Sequence, residues 1–263
     1  MNSHVNEMRA RDGTVGKALD VLDTVAGYGR PVRFGELLEG SPHPKATLYR
    51  LLQTLTNQGM LAYDESSHTY SLGLRLVRLA HVAWQHSSLA PVARPFLDAL
   101  SARVGETIHL AQLDEGQVLY VDKRNAQRPV EMFSAAGKVG PGYCTGVGKA
   151  MIAHLAPAER ARAIAQQSFY RHTAHTLTDP ERFAAELDRI VAEGVAFDRE
   201  EHEPGIICIA APIVAPDGRV LGALSITTSL QNRTLEDLTG LRPDLIDTAK
   251  RIAEAAASWQ FPG

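Results

Sequence analysis

The sequence predicts an α+β protein of two domains. One is a small N-terminal domain of three helices and a β-hairpin, and the other is a larger domain with helices beside a mainly antiparallel sheet. Two observations predict this. First, apolar residues recur at helical spacing up to Gln58, and two short apolar runs that enclose a polar loop follow. Second, beyond residue 105, pairs of strand-like runs alternate with amphipathic helices. At 263 residues the chain is long enough for two domains.

The first helix is predicted to follow a polar segment, residues 1–13, which we expect to be a disordered tail. Its apolar stripe consists of Val15, Ala18, Leu19, Leu22, Val25 and Ala26. Gly27-Tyr28-Gly29 and Pro31 end it. A short helix, 34–39, follows, and the turn Gly40-Ser41-Pro42 leads to a third helix.

The third helix, which begins near Pro44, is predicted to have two different faces. One face is an apolar stripe at i, i+3, i+4 and i+7: Leu48, Leu51, Leu52 and Leu55. The rest of its surface carries residue types that contact phosphates and base edges in a DNA groove, namely Lys45, Thr47, Tyr49, Arg50, Gln53 and Thr54. Gly59 ends the helix.

Two short strands, 60–63 and 69–72, follow this helix and are joined by the polar loop 64–68. An amphipathic helix alone is more typical of an ordinary core. Three helices and a hairpin in this order indicate a winged helix-turn-helix domain over residues 14–72, and hence binding to double-stranded DNA. The predicted DNA contacts are Lys45, Thr47, Tyr49, Arg50 and Gln53, together with Arg33 before the second helix and His68 in the hairpin loop.

Charge bears on how such a domain would bind DNA. Residues 1–80 carry nine Lys and Arg against eight Asp and Glu, a net charge of +1, and the whole chain has a net charge of −3. From His43 to Gln58, however, Lys45 and Arg50 occur without any acidic residue. An acidic protein that binds DNA needs a local positive face and usually two copies of it. We therefore expect a dimer that reads two half-sites.

Composition excludes several classes of protein. No apolar run approaches the roughly 20 residues of a membrane span, and the N-terminus has no signal-peptide pattern. The only cysteines, Cys144 and Cys208, form no CxxC pair, which disfavours a cysteine-based zinc site. We expect a cytoplasmic protein without a membrane partner and without a cofactor.

The second domain is expected over residues 88–263, after a linker helix at 73–87. Its predicted helices are 91–104, 145–155, 157–166, 180–193 and 243–259. Its predicted strands are 107–113, 118–123, 132–134, 195–198, 206–214 and 220–228. Tight turns such as Ala215-Pro216-Asp217-Gly218 join consecutive strands, which predicts a mainly antiparallel sheet.

A possible ligand site lies at the segment from Tyr143 to Gly148, which places glycines at the start of a helix. The first N–H groups of a helix lack internal partners and suit a carboxylate or a phosphate. A nucleotide-binding P-loop is not indicated, because position 143 is not Gly and Ala150 stands where that motif has a hydroxyl.

Over nearly its whole length the chain resembles the IclR family of bacterial transcription regulators. The resemblance is carried by the segments 44–52, 70–73, 145–150, 198–202 and 205–213. It implies a GAF-like effector domain after the winged helix, and dimers or dimers of dimers on operator DNA. It also implies a pocket for a small organic acid formed by Gly146, Val147, Asp198, Cys208, Ser225 and Thr227, with Met132 and Gly140 as walls. Gly140 departs from relatives that carry a bulky apolar residue there.

Other interpretations stay open at this point. A cysteine hydrolase could use Cys208 with His202, although no oxyanion motif or third residue is evident. The chain could instead bind DNA without any effector. Cys208 could be a plain buried thiol, and His109 a core histidine. The sequence fixes no geometry for a metal site formed by His172, His175 and His202, so we predict no metal.

Overall fold

The computed structural model describes residues 13–87, 89–128 and 130–257, which divide into two compact units between His86 and Ser87. The disordered tail expected at 1–13 therefore lies, except for Gly13, outside the described residues. So does the end of the last predicted helix, including Trp259. Within the described ranges no helix combines the length and apolarity needed to cross a bilayer.

The first unit has the predicted order of helices and hairpin. Its elements are α1 (Gly13–Gly27), β1 (Val32–Arg33), α2 (Phe34–Glu39), α3 (Lys45–Asn57), β2 (Leu61–Asp64), β3 (Thr69–Leu72) and α4 (Leu74–Ser87). Strands β2 and β3 pair antiparallel as predicted, and the unpredicted two-residue strand β1 pairs with the other edge of β3. The four leucines of the α3 stripe are buried. Burying a leucine side chain stabilises a fold by about 1.5–3 kcal/mol, so this stripe fixes which face of α3 is left for solvent.

The stripe predicted for α1 is partly wrong. Val15 and Leu19 are 72% and 53% exposed, whereas Val21, Leu22 and Val25 are buried. Ala18 packs partly against the same core. The residues that face the core are therefore 18, 21, 22 and 25. They lie on one face of the helix, and this face is rotated about the helix axis relative to the predicted one.

The second unit is an antiparallel sheet between helices. Its elements are α5 (Ala90–Val104), β4 (Thr107–Asp114), β5 (Gln117–Arg124), β6 (Val139–Gly140), α6 (Gly146–Ala153), α7 (Pro157–Gln166), α8 (Pro180–Glu193), β7 (Ala196–Arg199), β8 (Ile206–Val214), β9 (Val220–Ser229), α9 (Leu235–Gly240) and α10 (Arg242–Ala255). The six strands have the order β6-β5-β4-β9-β8-β7. Helix α6 packs on one face, while α5 and α10 pack on the other. Helix α9 was not predicted.

The strand predicted at 132–134 is wrong, and β6 forms the sheet edge instead. The backbone groups of residues 133 and 134 form hydrogen bonds with side chains rather than with a neighbouring strand. The Phe133 N–H donates to both carboxylate oxygens of Glu203 at 3.0 Å, and the Ser134 carbonyl accepts from Lys123 Nζ at 2.8 Å. A segment whose polar groups are satisfied in this way has no need of a strand partner.

Candidate functional site

Helix α3 presents its polar residues on the side opposite the buried leucines. Lys45, Tyr49, Arg50 and Gln53 are exposed, and Thr47 is half-buried. The Gln53 amide donates to the Tyr49 hydroxyl at 3.1 Å, which links two of the candidate reading residues. Pro44 is the N-cap of the helix, with extended backbone (φ −56°, ψ 146°), rather than its first helical residue.

A groove of about 730 Å³ lies between this helix and the hairpin. Four of the seven predicted DNA contacts line it, namely Arg33, Lys45, Tyr49 and His68. Thr47, Arg50 and Gln53 are not among its lining residues. His68 adopts a left-handed backbone (φ 54°) at the hairpin tip, and its Nδ1 lies 3.0 Å from the Tyr63 hydroxyl. The structure thus places basic and aromatic side chains of the helix and the hairpin around one groove.

In the second unit, strand register brings the other candidate residues onto one face of the sheet. Asp198 on β7 pairs with Cys208 on β8, which pairs with Thr227 on β9, and these three residues form a row across the sheet. One row further on, Ser225 pairs with His109 on β4. Because side chains two residues apart share a face, these residues all point to the side on which α6 packs.

The N-terminus of α6 meets this face at Cys208. Thr145 caps the helix, and its hydroxyl accepts from the Gly148 N–H at 3.3 Å. The Gly146 N–H favours the thiolate form of Cys208, but burial outweighs this effect on the pKa of the thiol. A Cβ atom added at Gly146 would lie 2.4 Å from Cys208 Sγ and 3.3 Å from the Ala210 Cβ. Only glycine allows the helix end to approach β8 this closely, and the adjoining Val147 is buried.

His109 stands at the centre of a hydrogen-bonded cluster next to this row. Its Nε2 lies 2.7 Å from the Ser134 hydroxyl, and its Nδ1 lies 3.1 Å from the Thr227 hydroxyl and 3.3 Å from that of Ser225. Burial, with a smaller effect of Lys123, lowers the pKa of His109 to about 3, so the ring is neutral at pH 7. His109 was not among the predicted site residues, and the only signal for it in the sequence was a lone histidine on a strand, two residues from Thr107.

The pKa values of the Asp198 carboxyl and the Cys208 thiol are both raised. Burial, and then the nearby Glu201 carboxylate, raises the pKa of Asp198 to about 7. Its Oδ1 accepts from the Glu201 N–H at 2.7 Å. Burial, and then Asp198, raises the pKa of Cys208 to about 12. The face therefore offers hydroxyls, a thiol, a neutral imidazole and a carboxyl that titrates near neutral pH.

A buried ion pair that was not predicted from the sequence joins α6 to the loop after β7. Lys149, on the first turns of α6, is fully buried, and its ammonium pairs with Glu201 and lies 3.8 Å from Glu186 Oε1. Glu201 Oε2 has no hydrogen-bond partner among the described residues. Buried charges persist only when paired, so this pair fixes α6 to the loop after β7. Both residues belong to the segments that carried the family resemblance.

Of the two expected wall residues, Gly140 lies next to Tyr120, which contacts His109. Gly140 on β6 is buried, and a Cβ there would lie 3.3 Å from Cε2 of Tyr120. Met132 is half-buried in the segment that precedes β6. Tyr120, which was not considered as a site residue, thus fills the space that the absent side chain at Gly140 leaves open.

The three histidines considered for a metal site, His172, His175 and His202, do not come together as a set of ligands. The His172 and His202 rings contact each other with centroids 5.0 Å apart, while His175 is exposed and near Glu200. No cluster of three potential ligands suited to a metal ion occurs among the described residues. The His202 ring packs against Phe133, and a thiol whose pKa is about 12 supplies almost no thiolate at pH 7. The geometry gives the cysteine hydrolase no support.

Comparison with known proteins assigns both units. Residues 14–65 match the IclR helix-turn-helix domain, and residues 81–254 match the C-terminal domain of bacterial IclR transcriptional regulators. The transcriptional regulator KdgR of Escherichia coli is 30% identical over 99% of both chains. The IclR structure of Thermotoga maritima has a TM-score of 0.74 at 25% identity, covering 93% of this chain and 98% of that one. An IclR homologue of Microbacterium hydrocarbonoxydans, complexed with 4-hydroxybenzoate, has a TM-score of 0.80 at 23% identity and covers 94% and 100%.

These relatives are named as regulators of transcription and not as enzymes. The sheet and helices of the second unit correspond to the effector domain of such regulators. The helix-turn-helix match at residues 14–65 corresponds to their DNA-binding domain. The chain therefore belongs to the IclR family of bacterial transcription regulators.

Proposed function

We propose that this regulator binds operator DNA through α3 and the hairpin, and that a small organic acid held at the α6 end of the effector domain changes its affinity for that DNA. The observation that carries the proposal is the approach of the α6 N-terminus to Cys208, beside the hydroxyls of Ser225 and Thr227. Together these groups supply what a carboxylate and a second oxygen function need.

Arg50 and Gln53 are the proposed readers of base edges, with Thr47 beside them. Arg50 is exposed and opposite the buried leucines, so it can enter the major groove without disturbing the core. Lys45 and Arg33, at the rim of the groove beside the hairpin, are proposed to bind phosphates, and His68 to contact the backbone or minor groove from the hairpin tip.

The uncharged state of the His109 and Cys208 side chains favours an anionic effector. The imidazole of His109 and the thiol of Cys208 are uncharged at pH 7, so the carboxylate of the effector meets the partial positive charge of the helix end without a competing thiolate. The 4-hydroxybenzoate in the Microbacterium homologue supports an oxygenated organic acid as the ligand class. Gly146, Val147, Asp198, Cys208, Ser225 and Thr227 are the proposed contacts, with Met132 and Gly140 as walls.

The DNA complex is proposed to contain a dimer, or a dimer of dimers. A single domain offers few positive charges to DNA, and its net charge over residues 1–80 is only +1. Two copies double the number of phosphate contacts and allow a two-part operator to be recognised. Effector binding would then alter the affinity by changing how the paired domains are presented.

The experiment is a titration of the purified protein with small carboxylic acids by isothermal calorimetry. Wild type is compared with Thr227→Val, which removes one site hydroxyl at nearly constant volume, and with the exposed control Thr239→Val. We expect at least one acid to bind wild type and the control, and to bind Thr227→Val about tenfold more weakly. Equal affinity for all three proteins would remove Thr227 from the pocket. If no acid binds even wild type, the acid-sensing proposal is wrong.

A further inference from the structure

The hydroxyl of Tyr120 has no protein partner in the part of the chain that the structure describes. The side chain is only 6% exposed, and its hydroxyl forms no hydrogen bond with any residue in the described ranges. The hydroxyl is not one of the fully buried side-chain atoms that lack a partner there, so its oxygen can still be reached by water or by a small ligand. Burial, and then the nearby Cys208 and Asp198, raises the pKa of Tyr120. The group is therefore a neutral phenol that can donate one hydrogen bond.

A β-bulge turns Tyr120 toward the proposed effector site. Strands β4 and β5 pair His109 with Lys123 and Ala111 with Tyr120, with a register shift between Leu110 and Ala111. Three residues separate Tyr120 from Lys123, so a regular strand would put them on opposite faces. The bulge brings both to the face that carries His109. The Tyr120 and His109 rings meet with centroids 5.4 Å apart.

Gly140 leaves room for this phenol. A Cβ at Gly140 would lie 3.3 Å from Cε2 of Tyr120 and 3.9 Å from its hydroxyl oxygen. The absence of a side chain at Gly140 thus lets the Tyr120 ring occupy the wall of the site, close enough to Cys208 and Asp198 for both to affect the pKa of its hydroxyl.

The other polar groups of this part of the site already have partners. Both nitrogens of His109 lie within hydrogen-bonding distance of hydroxyls, Nε2 with Ser134 and Nδ1 with Thr227. Ser225 and Thr227 also lie within 3.2 Å of each other. The Tyr120 hydroxyl is different, because its donor is left for a ligand.

We propose that Tyr120 determines effector specificity by donating a hydrogen bond to a second oxygen function of the acid, a hydroxyl or an oxo group distant from its carboxylate. This rests on the proposed acid-sensing function. A site built to pair with such a group rejects an analogue that lacks it, because the buried donor is then left unpaired.

The test measures discrimination between matched acids. Ligand-observed NMR, which detects weak binding, would give the affinities of wild type and Tyr120→Phe for benzoate and 4-hydroxybenzoate, and for butanoate, 4-hydroxybutanoate and 4-oxobutanoate. Phenylalanine keeps the ring against Gly140 and removes only the hydroxyl. We expect wild type to prefer an oxygenated acid over its parent by about tenfold to a hundredfold, and Tyr120→Phe to lose that preference while binding the parent acid as wild type does.

Tyr28→Phe is the matched control. Tyr28 is half-buried in the first unit, and its hydroxyl already donates to the Glu36 carbonyl at 3.1 Å. This variant should lose thermal stability and keep the preference for the oxygenated acid. An unchanged preference in Tyr120→Phe, or a wild type that binds parent and oxygenated acids equally, would overturn the role of Tyr120 while leaving acid sensing intact. If wild type binds no acid of either kind, both proposals fall.

Discussion

Replacing Gly146 by alanine tests the most closely packed point of the proposed effector site. The added methyl would lie 2.4 Å from Cys208 Sγ, well inside van der Waals contact, while its next neighbours, the Ala210 Cβ and the Asp198 nitrogen, would lie at 3.3 and 3.5 Å. The sulfur atom is therefore the one serious obstruction. It belongs to a side chain that is itself buried, so it cannot move into solvent.

Overpacking of this kind typically costs about 1–3 kcal/mol of folding free energy. For a domain of this size each kcal/mol lowers the melting temperature by roughly 2–4 °C, so Gly146→Ala should melt roughly 2–12 °C below wild type. The shifted sulfur would also crowd the space proposed for the effector. Thermal unfolding followed by circular dichroism measures the first effect, and calorimetric titration with an acid that binds wild type measures the second.

Cys208→Ala supplies the decisive comparison, because it removes the sulfur atom that the new methyl would meet. The double variant Gly146→Ala/Cys208→Ala should be more stable than the sum of the two single effects predicts, by about 1–2 kcal/mol of coupling. Gly240→Ala is the control, since a Cβ there meets nothing within 4 Å. A Gly146→Ala protein as stable as wild type, or strictly additive single effects, would refute the packing argument.

Three further predictions concern charged residues. Arg50→Ala should abolish specific operator binding in a mobility-shift assay without lowering the melting temperature, and normal affinity would contradict the assignment of α3. Because the pKa of Asp198 is raised to about 7, its carboxyl is neutral below that pH and repels an anion above it. Affinity for a monoanionic acid should therefore fall as pH rises through 7, and Asp198→Asn should flatten the profile. Lys149→Met leaves Glu201 buried and unpaired, and should cost about 3–5 kcal/mol in chemical denaturation. If Lys149→Met unfolds like wild type, the pair is not structural.

The order of elements followed from the sequence because local patterns determine it. The α3 stripe is a strict helical repeat, and the strands 206–214 and 220–228 enclose a clear turn signal, so both are found where they were predicted, with β9 one residue longer. The buried face of α1 was harder to predict, because its apolar residues lie on two overlapping faces of the helix. Which face is buried depends on the tertiary packing. Residues 132–134 have strand-forming side chains, but Glu203, Lys123 and His109 supply partners from distant parts of the chain.

Residues of the candidate site could be proposed from the sequence only where a motif or a resemblance pointed to them. Gly146, Asp198, Cys208 and Thr227 were proposed on that ground. His109 and Tyr120 were not, because their place depends on strand register and on a bulge between β4 and β5. Sequence spacing within one strand does not reveal which residue of another strand lies opposite. The Lys149–Glu201 pair joins positions 52 residues apart, so it could not be predicted from local sequence patterns either.

The most direct measurement titrates the protein with the DNA upstream of its own gene, at two salt concentrations, against scrambled competitor, with and without the acid that binds best. The account predicts tight, competitor-resistant binding that weakens with salt and changes in the presence of the acid. If the acid binds the protein and leaves its affinity for that DNA unchanged, or if the protein binds scrambled DNA equally well in both conditions, the proposed coupling of acid to operator is contradicted.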